Sequence, residues 1–294
     1  MIPGRDPRGR RGRRAQGAVL CLLAASPGSV CAQTEVPDAP AEASADGAQD
    51  GGTLGIEFDV APELVTHSPF RLRSWTSSAT SASMTLRAAE PIAADWEIAF
   101  DAGPSITIAH DRDVDNESAM GASIELRARN DLAGLRPFLG YAIERSYDGV
   151  FEARGQTGHS LFAGLGLYRT RGPTAFSLEL SPRWSFGSGG LEHRAVNLWG
   201  ELIHPLIPDA LAVQADAAIE RRWHAGDSSG RRDWRFEAWV GLDAAEAMNG
   251  WVGGKAFRTF GAGVRWMRIA SNRPDESSTA IAFLPAITMR VDFR

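Results

Sequence analysis

The chain has 294 residues, 44% of them hydrophobic, with 31 basic against 36 acidic residues and a net charge of −5. An acidic balance disfavours nucleic acid as a partner. No stretch approaches the roughly 18 unbroken apolar residues of a membrane helix, so any membrane role must come from strands.

The chain opens on a basic head: Arg5, Arg8, Arg10, Arg11, Arg13 and Arg14. A short apolar run follows, Ala18 to Ala25, broken by Pro27 and Gly28. Val30-Cys31-Ala32 then offers small residues for cleavage. This pattern predicts a secretory signal peptide over residues 1–32, on the general export route. Without it the chain keeps 31 − 6 = 25 basic and 36 − 1 = 35 acidic residues, a net of −10. Cys21 and Cys31 both fall in that segment, so no disulfide, thiol nucleophile or cysteine-rich zinc site is expected beyond it. Residues 33–52 are rich in Ala, Pro, Gly and acids, with no basic residue. Too little apolar surface is present there to offset chain entropy, which predicts a disordered periplasmic tail.

From Thr53 onward the rhythm is two residues long, and successive strand side chains point to opposite faces. The first strand sets Leu54, Ile56, Phe58 and Val60 against Glu57 and Asp59. A fainter second carries Met84 and Leu86 against Arg87, and a long third runs from Trp96 to Ile108 on one parity. The fourth sets Ile124 and Leu126 against Glu125, Arg127 and Arg129; the fifth sets Leu139, Tyr141 and Ile143 against Glu144. The sixth alternates Leu161, Leu165 and Leu167 with Gly164 and Gly166. The seventh opposes Leu178 and Leu180 to Glu179 and Arg183, and the eighth Leu198 and Leu202 to Glu201. In the ninth, Val213 and Ile219 oppose Asp216, Glu220 and Arg222; in the tenth, Trp234 and Val240 oppose Arg235 and Glu237. The eleventh sets Val264 and Trp266 against Arg265. The last carries Ile281, Phe283, Ile287, Met289, Val291 and Phe293 on one parity and Arg290 on the other.

A closing strand that alternates and ends on an aromatic resembles that of Gram-negative outer-membrane β-barrels. The resemblance implies that Phe293, with Val291, Met289 and Ile287, forms the signal read by the barrel-assembly machinery; Arg294 after it departs from the usual ending. The expected fold is all-β: one transmembrane antiparallel up-and-down barrel of about 12 strands (10–14) over residues 53–294, termini periplasmic. Predicted connections point the same way: short on one side (Thr170–Thr174), longer and more polar on the other (Ala61–Ser74, Ser146–Gly158). Aromatic residues also sort into two belts. Trp96, Tyr141, Phe176, Trp251 and Phe293 fall near predicted periplasmic ends; Trp75, Trp184, Phe186, Trp223, Trp234, Phe236 and Trp266 fall near outer ends.

The polar parity supplies the candidate functional residues. Glu57, Asp59, Glu125, Arg127, Arg129, Glu144, Glu179, Arg183, Glu201, Asp216, Glu220, Arg222, Arg235, Glu237, Arg265 and Arg290 are expected to line the lumen. Charges of both signs in a narrow barrel fit either a salt-bridged plug or a solute path whose charges set selectivity. Asp111, Asp113 and Asp115 resemble the opening of a calcium loop, which admits a low-affinity divalent cation in an outer loop. Asn116 and Ala122 stand where that loop needs Gly and Glu, so a solvated acidic loop is the plainer reading.

Gly158-His159-Ser160-Leu161 resembles a nucleophile elbow, but neighbours on a strand point to opposite faces and cannot pair. His67, His110, His193, His204 and His224 are expected on connections, without metal-ligand spacing. No cofactor is expected. The functional expectation is a narrow porin-like channel for small solutes, non-enzymatic, among outer-membrane lipid and lipopolysaccharide. The alternatives are a lipid-hydrolase-type enzyme, or a structural or adhesive barrel with ligand-binding outer loops.

Overall fold

The computed structural model describes residues 52–69, 74–111, 115–130, 134–225 and 230–293. The predicted signal peptide and almost all of the acidic tail lie outside the described residues.

Twelve strands form one closed antiparallel barrel. They are β1 (Thr53–Pro69), β2 (Trp75–Ala93), β3 (Trp96–Ala109), β4 (Glu117–Ala128), β5 (Arg136–Asp148) and β6 (Ala153–Arg171). Then follow β7 (Thr174–Gly187), β8 (Gly190–Ile207), β9 (Leu211–His224), β10 (Arg232–Asp243), β11 (Phe257–Ser271) and β12 (Ser278–Phe293). Each strand pairs with its sequence neighbours, and β12 returns to β1, placing Leu54 opposite Phe293 and Pro69 opposite Ser278. Closure leaves no unpaired edge, and an even strand count brings both ends of the barrel chain to the same rim.

The two faces are inverted relative to a water-soluble protein. Outward residues such as Leu139 and Val240 are 56% and 53% exposed, whereas the inward Glu57 is 1% exposed. Apolar side chains are exposed on strands all round the barrel. A continuous apolar belt of this kind is stable only against lipid, so the barrel is a transmembrane one. A β-sandwich, with two open sheets, is excluded by the pairing of β1 with β12.

Several strands are longer than hydrophobic alternation predicts. β1 runs to Pro69 and β8 from Gly190 to Ile207. Backbone pairing continues beyond the lipid belt wherever two strands stay adjacent, and no apolar alternation marks those turns of chain. His67, His193, His204 and His224 therefore sit in strands rather than in connections. The expected contrast between short and long connections disappears for the same reason. The longest, residues 244–256, lies at the rim that carries the chain termini (the terminal rim).

That connection contains a helix, α1 (Ala245–Val252), where the sequence predicts a simple turn. Asp243 Oδ1 accepts the N–H groups of Ala245 (3.0 Å) and Phe260 (2.9 Å), tying the helix start to β11. Gly253, at φ 73°, ends it in the left-handed region that glycine tolerates. Asn249 then mimics a strand partner: its Oδ1 accepts from Phe257 N and its Nδ2 donates to Phe257 O, both at 2.8 Å.

Glycines make room for inward aromatic rings. Phe138 faces Gly164 and Phe162 faces Gly140 across the β5–β6 pair. A Cβ on either glycine would run into the opposing ring. Trp239 covers Gly263 in the same way, 2.6 Å from where its Cβ would stand.

Candidate functional site

The lumen has two unlike regions. Along the middle of β2, β3 and β4 the inward positions are small: Ser81, Ser83, Thr85, Gly103, Ser105, Thr107, Ala119, Gly121 and Ser123. Ser83, Ser105 and Ala119 are cross-strand partners in one row, and Ser105 is exposed although it points inward. Side chains therefore do not fill the interior at this level. Ser81 and Thr107 hydroxyls lie 3.1 Å apart and Ser83 donates to Asp59 (2.9 Å), so much of this wall is hydroxylated.

The rest of the lumen, including the terminal-rim ends of those same strands, is bulky and ion-paired. Glu57 sits between Arg87 (3.2 Å) and Arg258 (3.0 Å), which neutralise a nearly inaccessible carboxylate. Asp59 also accepts from Thr288 (2.7 Å). Arg127 pairs with Glu97 (2.6 Å), Arg222 with Glu220 (2.7 Å), and Arg265 with Glu237 (3.2 Å). Arg235 approaches Glu220 at 3.9 Å, and Gln214 donates to Glu201 (2.6 Å). Arg290 is bonded to Asp292 (2.5 Å). Glu125, Glu144, Glu179, Arg183 and Asp216 occupy the same inward parity of their strands. Arg129 does not: β4 ends at Ala128, and Arg129 begins the turn, its N–H bonded to Asp95 O (2.9 Å).

Sequence reading missed the inward apolar residues. Trp239 and Met267 pack against Val65, Ala280, Ala282 and Leu284, an apolar patch within the lumen. Phe138, Phe162 and Trp199 also point inward. The signal that could have found them is parity: Trp239 shares its phase with Arg235 and Glu237, and Trp199 with Glu201. Trp75, expected in the outer belt, faces inward instead, stacked on His67 with ring centroids 5.0 Å apart. Tyr141, expected at a periplasmic end, lies mid-strand in β5, with its hydroxyl 2.6 Å from His159 Nδ1. That bond satisfies two polar groups on the lipid face. Ser160 points inward, opposite to His159.

At the rim away from the termini (the far rim), inward polar groups form a row across β6–β10. Ser160 and Ser185 hydroxyls are 3.3 Å apart, and Ser185 is the register partner of His193. His193 faces His224, with ring centroids 5.9 Å apart. His224 Nε2 meets Asp233 Oδ2 at 2.8 Å, and Arg231 clamps the same carboxylate at 2.9 Å. A carboxylate can orient an imidazole in this way, but Ser185 and His193 share no hydrogen bond among the described residues. On β1, His67 Nε2 meets Ser77 Oγ at 2.8 Å, both buried.

The remaining candidates lie at the surface. Asp113 falls outside the described residues. Asp111 Oδ2 accepts the N–H of Ser78 (3.3 Å), and Asp115 is exposed. Among the described residues no three His, Cys, Asp or Glu side chains converge as a metal site. Phe293, Val291, Met289 and Ile287 all point outward and are exposed to the lipid side.

No family model and no curated protein matches the chain. Solved structures do resemble it, and they are Gram-negative outer-membrane β-barrels. One is the translocator domain of autotransporter NalP from Neisseria meningitidis, at 13% identity and TM-score 0.48, covering 94% of this chain and 97% of that one. Another is an outer membrane channel from Pseudomonas putida F1, at 12% identity and TM-score 0.41, covering 80% and 95%. A third is LpxR from Salmonella typhimurium, at 10% identity and TM-score 0.41, covering 80% and 99%. At such values the likeness does not discriminate between activities, and the barrel itself rests on the strand pairing described above.

Proposed function

We propose that this chain is an outer-membrane barrel of a Gram-negative bacterium, exported by a cleaved signal peptide, that acts as a narrow channel for small polar solutes and not as an enzyme. Both chain termini then face the periplasm. One observation carries the channel reading: Ser105 points inward and remains exposed, beside a wall of small hydroxylated side chains. The ion pairs around it keep that passage narrow and wet. Planar-bilayer recording tests it. The refolded barrel is expected to give single-channel steps that shrink in Ser105→Trp; a wild-type barrel that folds but never conducts overturns the reading.

The outward Phe293 serves as the assembly signal in this proposal. Phe293→Ala is expected to lower the amount of heat-modifiable barrel in the outer membrane, and an unchanged amount counts against that role. A second reading, hydrolysis of lipid, is favoured by the Ser185–His193–His224–Asp233 row at the far rim. Release of fatty acid from phospholipid by the refolded barrel, lost in Asp233→Asn, would establish it over the channel.

A further inference from the structure

The outward face of β7–β10 carries an alternation that no lipid-facing strand needs. Four cross-strand partners form one row near the far rim: Trp184, Arg194, Trp223 and Arg232. In the adjacent row toward the terminal rim, Arg221 partners Trp234. The Arg221 guanidinium lies 4.7 Å from the Trp234 ring centre and 5.8 Å from that of Trp223. Arg194 and Arg232 are exposed, as are Trp184 and Trp234. None of the three arginines has an ion-pair partner among the described residues.

Such a face is not explained by burial. An unpaired guanidinium at a lipid boundary is costly unless it reaches an anion, and lipid supplies phosphate. Arg194 and Arg232 lie two strands apart, about 10 Å, with Arg221 between them one row away. Three planar donors over that span suit more than one phosphate, because each guanidinium can bind a phosphate bidentately. The flanking tryptophans sit where amphipathic rings collect, at headgroup depth. The contrast with β1 and β2 near the same rim is sharp. There the outward positions are Thr66, Ser68 and Thr76, with hydroxyls bonded to one another or to Ser74.

We propose that the Trp184–Arg194–Trp223–Arg232 row, with Arg221, is a binding site for the bis-phosphorylated sugar headgroup of an outer-leaflet glycolipid. It rests on the outer-membrane part of the reading above and not on the lumen, so conductance and lipid binding fail separately. The arginines hold the phosphates, and the indoles wedge between the sugar and the first acyl carbons.

The test uses the refolded barrel in phosphatidylcholine nanodiscs, titrated with diphosphoryl lipid A. Bound lipid is counted by native mass spectrometry and followed by tryptophan fluorescence. Arg194→Gln with Arg232→Gln is expected to weaken retention about tenfold or more, since one lost charge-assisted contact is worth about that factor. The corresponding lysine variants retain part of the affinity. Lipid A stripped of phosphate binds wild type and variant alike. Arg232→Gln alone, an exposed substitution, serves if the double variant fails to fold. Equal retention by wild type and variant overturns the proposal, as does equal binding of phosphatidylglycerol, which would indicate attraction to any anionic lipid.

Discussion

Two regions of the lumen meet at Asp59, which accepts from Ser83 on one side and Thr288 on the other. On β2–β4, Ser83, Ser105 and Ala119 present short side chains that leave space. Toward the terminal rim, Glu57, Arg87 and Arg258 form a locked triad, and on β10 and β11 Trp239 and Met267 bury an apolar patch. The first region is loosely filled; the second is the part of the barrel that behaves as a core. Rigidity in a thin-walled cylinder can thus surround one loosely filled patch.

Substitutions in the ion-paired and aromatic region should break this contrast most. Glu57→Ala removes the carboxylate that joins Arg87 and Arg258, leaving Arg87 only the looser contact with Asp101 (3.8 Å), and is expected to destabilise the barrel by about 3 kcal/mol, read by urea unfolding in lipid vesicles. Gly263→Ala drives a methyl group toward the Trp239 ring and the Val240 carbonyl, each 2.6 Å from the new Cβ. A cost of about 1–3 kcal/mol is expected from such overpacking, measured in the same way. In the small-residue region the proposed channel moves the expected sensitivity from stability to conductance. Ser105→Ala should stay within about 0.5 kcal/mol of wild type, while Ser105→Trp leaves the fold intact and reduces conductance. Smallest of all is the loop beyond β3: calcium is expected to leave the thermal transition unchanged, and a calcium-dependent rise would revive a site at Asp111 and Asp115.

Parity made the strand count and the identity of the charged wall legible. Glu57, Arg127, Glu220 and Arg265 lie on inward phases because lipid forces the apolar residues outward. What alternation does not encode is where a strand stops. His67 and His193 read as loop residues because no lipid selects the sequence around them, yet backbone pairing carries β1 and β8 past them. The aromatic residues mislead in another way. Composition assigns Trp75 to a lipid belt, although its phase with Ser77 and Ala79 already points inward. The helix Ala245–Val252 is visible only as a break in parity, since eight residues anchored by Asp243 and Asn249 leave a weak periodic signal.

The seam between the first and last strands carries a consequence for timing. Glu57 is held by Arg258, 201 positions later, and Asp59 by Thr288, 229 positions later. No partial length of this polypeptide can complete that carboxylate's ring of contacts or hide the border of β1. Until β12 arrives, the growing ribbon carries a raw margin and a half-solvated acid, so its maturation is governed by whatever shelters an unfinished cylinder rather than by how quickly any single hairpin zips.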